Sequence, residues 1–180
     1  MKAFDTHILA RFFIDDSEDL QAAIQRPAAS TALSGRGLVA VTVLLEFEWV
    51  MRGFYQLPRA EILAVLRTLA SIEHIVVQDR TAVLAALDAF DAGLDFADAL
   101  HLSRSTRASG FATFDQRLFK RAQGLALIPP IELLVRAQAH CAGAGQCSIR
   151  KQPAPRRLRR CHAQMPVSRQ RGDAPARRAL

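Results

Sequence analysis

Short apolar runs alternate with longer stretches of helical spacing along most of this chain, and that alternation constrains the fold more than any other feature. Strands separated by helices must be joined by crossovers, so they run parallel. The expected class is α/β with a mainly parallel sheet. Ala3–Phe4 reads as a very short first strand, with Asp5 or Thr6 capping a helix through Ile14. A second helix is expected over Ser17–Ala29, a strand over Leu38–Val41, and a helix from Thr42 to about Tyr55. Pro58–Ser71 repeats Ile62, Leu63, Leu66 and Leu69 at helical spacing. Ile75–Gln78 follows as a strand and Arg80 to about Ala92 as a helix closed by Gly93. A helix then runs from near Asp95 to Ser109, Phe111–Thr113 is a strand, and Asp115 caps a helix over Gln116–Gln123. Leu125–Ile128 is read as a last strand, and Pro129–Pro130 as the lead into a short helix ending near Arg136.

The 180 residues suit one domain better than two. The net charge of +7 invites a nucleic-acid reading until it is located. Residues 1–136 hold 14 Lys+Arg against 16 Asp+Glu, a balance of −2. Residues 137–180 hold 10 basic residues and one acid, Asp173, a balance of +9. The overall charge is therefore no argument that the body binds RNA. Two regions are expected, a folded domain over 1–136 and a basic, disordered tail over 137–180. Cys141, Cys147 and Cys161 all lie in the tail, so the body has neither a disulfide framework nor a cysteine zinc site. With no secretory signal and no stretch of membrane-spanning length, a cytoplasmic setting without membrane attachment is expected.

Most acids only solvate a surface, so the informative ones are those out of place. Helical steps put Glu46 among Val43, Trp49, Val50 and Gly53, while Glu48 and Arg52 fall opposite as an exposed i, i+4 ion pair. An acid on an apolar face needs a cation or a strong hydrogen-bond network, unless it reaches the helix edge or a distant Arg. Asp98 shares a helix face with Leu102 and Ser105 and lies deeper in its helix, so capping explains it less well. Asp95, one turn earlier, is read as a first-turn or N-cap acid, and His101 as a partly buried structural histidine. Asp5 and Asp115 each follow a strand and precede a helix. Both suit N-caps, and both also sit where ligands bind an open parallel sheet, beyond the strand carboxyl ends. Four converging carboxylates would repel one another without a divalent cation, and oxygen ligands suit Mg²⁺ or Mn²⁺.

Phe4-Asp5-Thr6-His7, Leu45-Glu46-Phe47-Glu48-Trp49-Val50, Asp95-Phe96-Ala97-Asp98-Ala99-Leu100-His101-Leu102 and Thr113-Phe114-Asp115 resemble, in order and spacing, the motifs of PIN domains. They are most similar to those of VapC toxins, over roughly Met1–Leu134. The resemblance implies an α/β/α sandwich with a mainly parallel central sheet. It also implies a Mg²⁺-dependent endoribonuclease acting on RNA, with Mn²⁺ as a substitute, a cognate VapB-like antitoxin and a homodimer. Asp5, Glu46, Asp98 and Asp115 match the catalytic, metal-binding acids, with Thr6, His7 and Asp95 as accessory positions. Many VapC toxins have Asn at the position of His7, which there orients the first Asp or a water. A Thr-His version occurs in some PIN proteins.

The tail has no counterpart in that resemblance. An RNA-binding arm and a functionless extension are both compatible with it, and the spacing of His140, Cys141, Cys147, Cys161 and His162 fits no standard zinc module. Two other functions compete with the toxin: a PIN nuclease of RNA processing without an antitoxin, and a catalytically silent antitoxin- or RNA-binding module. The complete set of acids argues against the silent module, since acids facing RNA without a metal would weaken binding.

Overall fold

The computed structural model describes residues 1–16 and 19–134. The expected tail, its cysteines and the boundary near residue 136 lie outside the described residues. The elements in chain order are β1 (Lys2–Ala3), α1 (Thr6–Phe13), α2 (Leu20–Leu33), β2 (Gly37–Val39), α3 (Val41–Gly53) and α4 (Arg59–Ser71). They continue with β3 (Ile75–Val77), α5 (Arg80–Asp91), α6 (Phe96–Arg104), β4 (Phe111–Thr113), α7 (Gln116–Ala122) and β5 (Ile131–Leu133).

The pairing is parallel throughout, as the alternation requires. β2 sits between β1 and β3, with Lys2 opposite Gly37 and Leu38 opposite Val76. β4 and β5 form a separate two-stranded ladder, Phe111 opposite Ile131. The core gathers Val39, Ile75 and Val77 from the strands with Leu9, Leu44, Phe47, Leu66, Leu87 and Leu100 from the helices. Phe4 lays its ring over Gly37, where a Cβ would collide with it, and so fixes the chain direction entering Asp5. Among the described residues no helix is long and apolar enough to cross a membrane.

Three expectations need correction. The last strand is Ile131–Leu133, not Leu125–Ile128, and no short helix follows Pro130 among the described residues. Prolines cannot donate to a ladder, but Pro130 accepts from Phe111 N at 2.8 Å and Leu134 N donates to Thr113 O at 2.8 Å, framing the strand between. Helix α6 stops at Arg104 rather than Ser109, since Ser103 and Ser105 turn their hydroxyls back onto the carbonyls of Ala99 and His101. The third concerns the face that α3 buries. Val41, Leu44, Phe47, Glu48 and Met51 face the core, whereas Glu46 is exposed and Trp49 is 69% exposed. Helix α3 is apolar nearly all round, so periodicity alone does not choose its buried stripe.

Smaller shifts have local causes. α3 begins at Val41 because the Gln78 side chain, just past β3, accepts from Val41 N at 3.1 Å and does the work of a cap. α2 carries on through Pro27 to Leu33 rather than stopping at Ala29.

Candidate active site

Asp5 lies two residues beyond β1 and caps α1, its Oδ1 accepting from Ile8 N at 3.0 Å. Its Oδ2 lies 3.9 Å from His7 Nδ1 and makes no other ion pair among the described residues, and both side chains are largely exposed. Thr6 is buried and donates from Oγ1 to Glu46 Oε2 at 2.6 Å. That bond ties the start of α1 to the middle of α3 and fixes the exposed Glu46 carboxylate through the residue that follows Asp5 in the chain.

Asp115 repeats the arrangement at β4. Its backbone N–H donates to Thr113 Oγ1 at 2.9 Å, and its Oδ1 accepts from Arg117 N at 2.7 Å and Leu118 N at 3.1 Å. Capping and a site role are therefore compatible. In Asp5 and Asp115 alike the cap occupies one carboxylate oxygen, and the second makes no hydrogen bond among the described residues.

Asp95 caps α6 through Ala97 N at 3.0 Å, as expected of a first-turn acid. Asp98 follows one turn later and is half-buried. Burial raises its pKa above the ordinary value, and the charges of Asp95 and Asp115 push it further up; His101 and Arg121 pull the other way. Asp95, Asp98 and Asp115 line one cavity of about 230 Å³ with Arg117 and Arg121 of α7. His101 is exposed rather than structural, a correction to the sequence expectation.

The structure thus links the sequence-derived acids in two groups: Glu46 with Thr6 near Asp5, and Asp98 with Asp95 and Asp115. Among the described residues no three His, Cys, Asp or Glu side chains are gathered tightly enough to hold a metal ion unaided. The donors still fit a hard divalent cation. They are all oxygens, and Asp95 and Asp115 bring negative charge to the half-buried Asp98, against His101 and Arg121 on the other side. Mg²⁺ keeps several waters and takes only one or two carboxylates directly, so a preformed cage is not required.

Sequence reasoning misplaced a polar cluster behind this site. Glu48 is 1% exposed, not a surface residue, and holds Arg52 through Nε at 2.9 Å and Nη2 at 3.4 Å. Burial raises the Glu48 pKa, and Arg52 only partly offsets that. Arg52 Nη2 also lies 3.8 Å from Asp95 Oδ2, bridging α3 to the cap of α6. Arg59 steadies the same corner, donating to the carbonyls of Phe90 and of Leu94 (2.8 Å for Leu94) with its guanidinium over the Phe90 ring. The i, i+4 spacing of Glu48 and Arg52 signalled the pair but not its depth. The same spacing of Arg117 and Arg121 was the available signal for the cations beside the acids.

A family model described as PIN domain matches residues 2–125. No curated protein and no solved structure matches the chain. With its parallel strands, helical crossovers and strand-end carboxylates in place, the chain belongs to the PIN domain family, whose members are in general metal-dependent nucleases.

Proposed function

We propose that the chain is a Mg²⁺-dependent endoribonuclease that uses Asp5, Glu46, Asp98 and Asp115, and that it is the toxin of a VapBC-type pair. The observation that carries the nuclease reading is Asp98. It is half-buried, repelled by Asp95 and Asp115, and faces a cavity flanked by Arg117 and Arg121. A protein gains nothing in stability from such an arrangement, which suits a site whose charge is completed by a bound cation.

When bound, Mg²⁺, or Mn²⁺ in its place, would supply charge neutralisation at the phosphate and a water of lowered pKa. The chain's own residues do the rest. Thr6 holds Glu46 in one orientation. The N-cap bonds of Asp5 and Asp115 immobilise one oxygen of each and leave the other to face ligand. Arg117 and Arg121 supply donors for phosphate oxygens beside the acids. In the hydrolysis a water oxygen bonds to phosphorus, the bond from phosphorus to the leaving ribose oxygen breaks, and the water's proton goes to solvent or to that oxygen.

Cleavage of total RNA tests this with Mg²⁺, with EDTA, and with Asp98→Ala. Cleavage that persists in EDTA, or in the folded variant, removes the metal mechanism. The toxin assignment rests on the motif resemblance, as do the antitoxin partner and the homodimer. Trp49 and Phe54 of the α3 region and Phe114 beside Asp115 are exposed apolar side chains suited to such interfaces. Growth arrest on expression, relieved by the neighbouring gene, separates a toxin from an RNA-processing nuclease.

A further inference from the structure

We propose that the groove between the start of α5 and the end of α6 carries the RNA strand away from the acid pocket, gripping its sugar–phosphate backbone rather than its bases. The inference rests on the nuclease reading of that pocket. The groove measures about 1120 Å³ and is open, several times the size of the acid cavity. It exceeds the usual enclosed small-molecule site and suits a length of polymer.

Its lining is cationic in a domain that is not. Arg80, Arg104 and Arg107 face it with His101, against a single acid, Asp79. The 1–136 region as a whole carries −2, so this local excess is a feature of the groove and not of the surface at large. Asp79 serves to place one of the cations. It adopts a left-handed backbone (φ 51°), forms no side-chain cap to α5, and accepts from Arg104 Nε at 2.9 Å. Arg80 uses Nε on Ala70 O at 3.0 Å, and its terminal nitrogens make no hydrogen bond among the described residues. Arg107 makes neither an ion pair nor a side-chain hydrogen bond among them and is exposed. Among the described residues no Phe, Tyr or Trp lines the groove, so it lacks the large rings on which bases stack best, whereas guanidinium groups and the Ser105 hydroxyl suit phosphate and ribose oxygens.

One face of α6 runs from the acid cavity to the groove, although the two share no lining residue. From Asp98, His101 is three residues on and Ser105 seven, positions that lie on the same side of α6 and span roughly 10 Å of its axis. Asp98 faces the acid cavity, whereas His101 and Ser105 line the groove. His101 also acts electrostatically on Asp98. A strand cut at Asp98 thus has a cationic path along the same helix.

The test uses the full chain carrying Asp98→Asn, which permits binding without cleavage. Affinity for a labelled single-stranded RNA of about a dozen nucleotides is followed by fluorescence anisotropy against salt. Adding Arg107→Ala should weaken binding about fivefold and lower the salt slope by about one, and Arg107→Glu should do more, with thermal stability unchanged. In the cleaving protein Arg107→Ala should raise KM and leave kcat. Unchanged affinity and slope for Arg107→Glu in a protein whose parent cleaves RNA overturns the groove and leaves the nuclease standing. A parent that cleaves nothing while Arg107→Glu still weakens RNA binding keeps the groove and overturns the nuclease reading. Loss of affinity for an acidic peptide but not for RNA makes the groove a protein-docking surface and overturns the proposal.

Discussion

The two faces of α3 carry one carboxylate each, two residues apart, and the molecule treats them oppositely. Glu48 points into the core, is nearly inaccessible and is paired with Arg52. Glu46 points outward and is held by the hydroxyl of Thr6. The buried acid bridges through Arg52 to the cap of α6; the exposed acid is the one we propose for the strand-end site. Burial alone is therefore a poor guide to function in this helix. What distinguishes Glu46 is that a buried partner from another element holds a solvent-facing carboxylate in place.

The largest expected effect separates those faces directly. Asp98→Asn and Glu46→Gln should each reduce RNA cleavage by at least about a hundredfold, the scale on which positioned carboxylates act, while Glu48→Gln stays within a few fold. Equal losses in Glu46→Gln and Glu48→Gln, both folded, would erase the distinction. Next comes stability. Arg52→Leu leaves Glu48 buried without its partner and should cost about 3 kcal/mol in urea unfolding. Adding Glu48→Leu should restore most of it, because a buried pair is often replaceable by apolar residues although neither half is removable alone.

Acidity sharpens the comparison further. The Glu48 pKa is raised above 4.5 in the folded protein, so the folded state takes up its proton at a higher pH than the unfolded chain does. The stabilising contribution of that shift is complete below the unfolded value and is lost as pH rises through the folded one. The stability difference between wild type and Glu48→Gln should therefore move in favour of the wild type as pH falls from 7 toward 4.5. Asp98, raised from 3.8 by burial, Asp95 and Asp115, has the same sign in EDTA. Thermal melts at several pH values check both, and Asp98→Asn should melt higher than the parent in metal-free buffer at neutral pH. The smallest effect is at His7, which is exposed and only 3.9 Å from Asp5. His7→Asn should retain or slightly raise cleavage, and its loss with folding intact would show His7 to be required.

Much of this was legible in the sequence because it depends on local rules. Alternating apolar runs and helices gave the parallel α/β class, and Asp5, Asp95 and Asp115 announced themselves as caps by preceding helices. The orientation of α3 was not legible, since Val41, Val43, Leu44, Leu45, Phe47, Trp49 and Val50 offer apolar residues on every side and only the packed core selects a stripe. Nor was β5, whose existence depends on a long-range ladder with β4 across two prolines. The groove cations escaped notice for a related reason. Arg80, Arg104 and Arg107 are ordinary surface residues in sequence and become a path only when α5 and α6 pack together.

The central claim is that Glu46 and Asp98, found in separate groups in the structure, serve the same ion. Mn²⁺ binding followed by electron paramagnetic resonance tests it most directly, on the wild type, Glu46→Gln, Asp98→Asn and the Glu48→Gln control. Glu46→Gln and Asp98→Asn should each weaken binding by about tenfold or more, with Glu48→Gln close to wild type. Mn²⁺ affinity that falls in Asp98→Asn but is unchanged in Glu46→Gln would contradict the account, leaving the outward face of α3 without a part in the site.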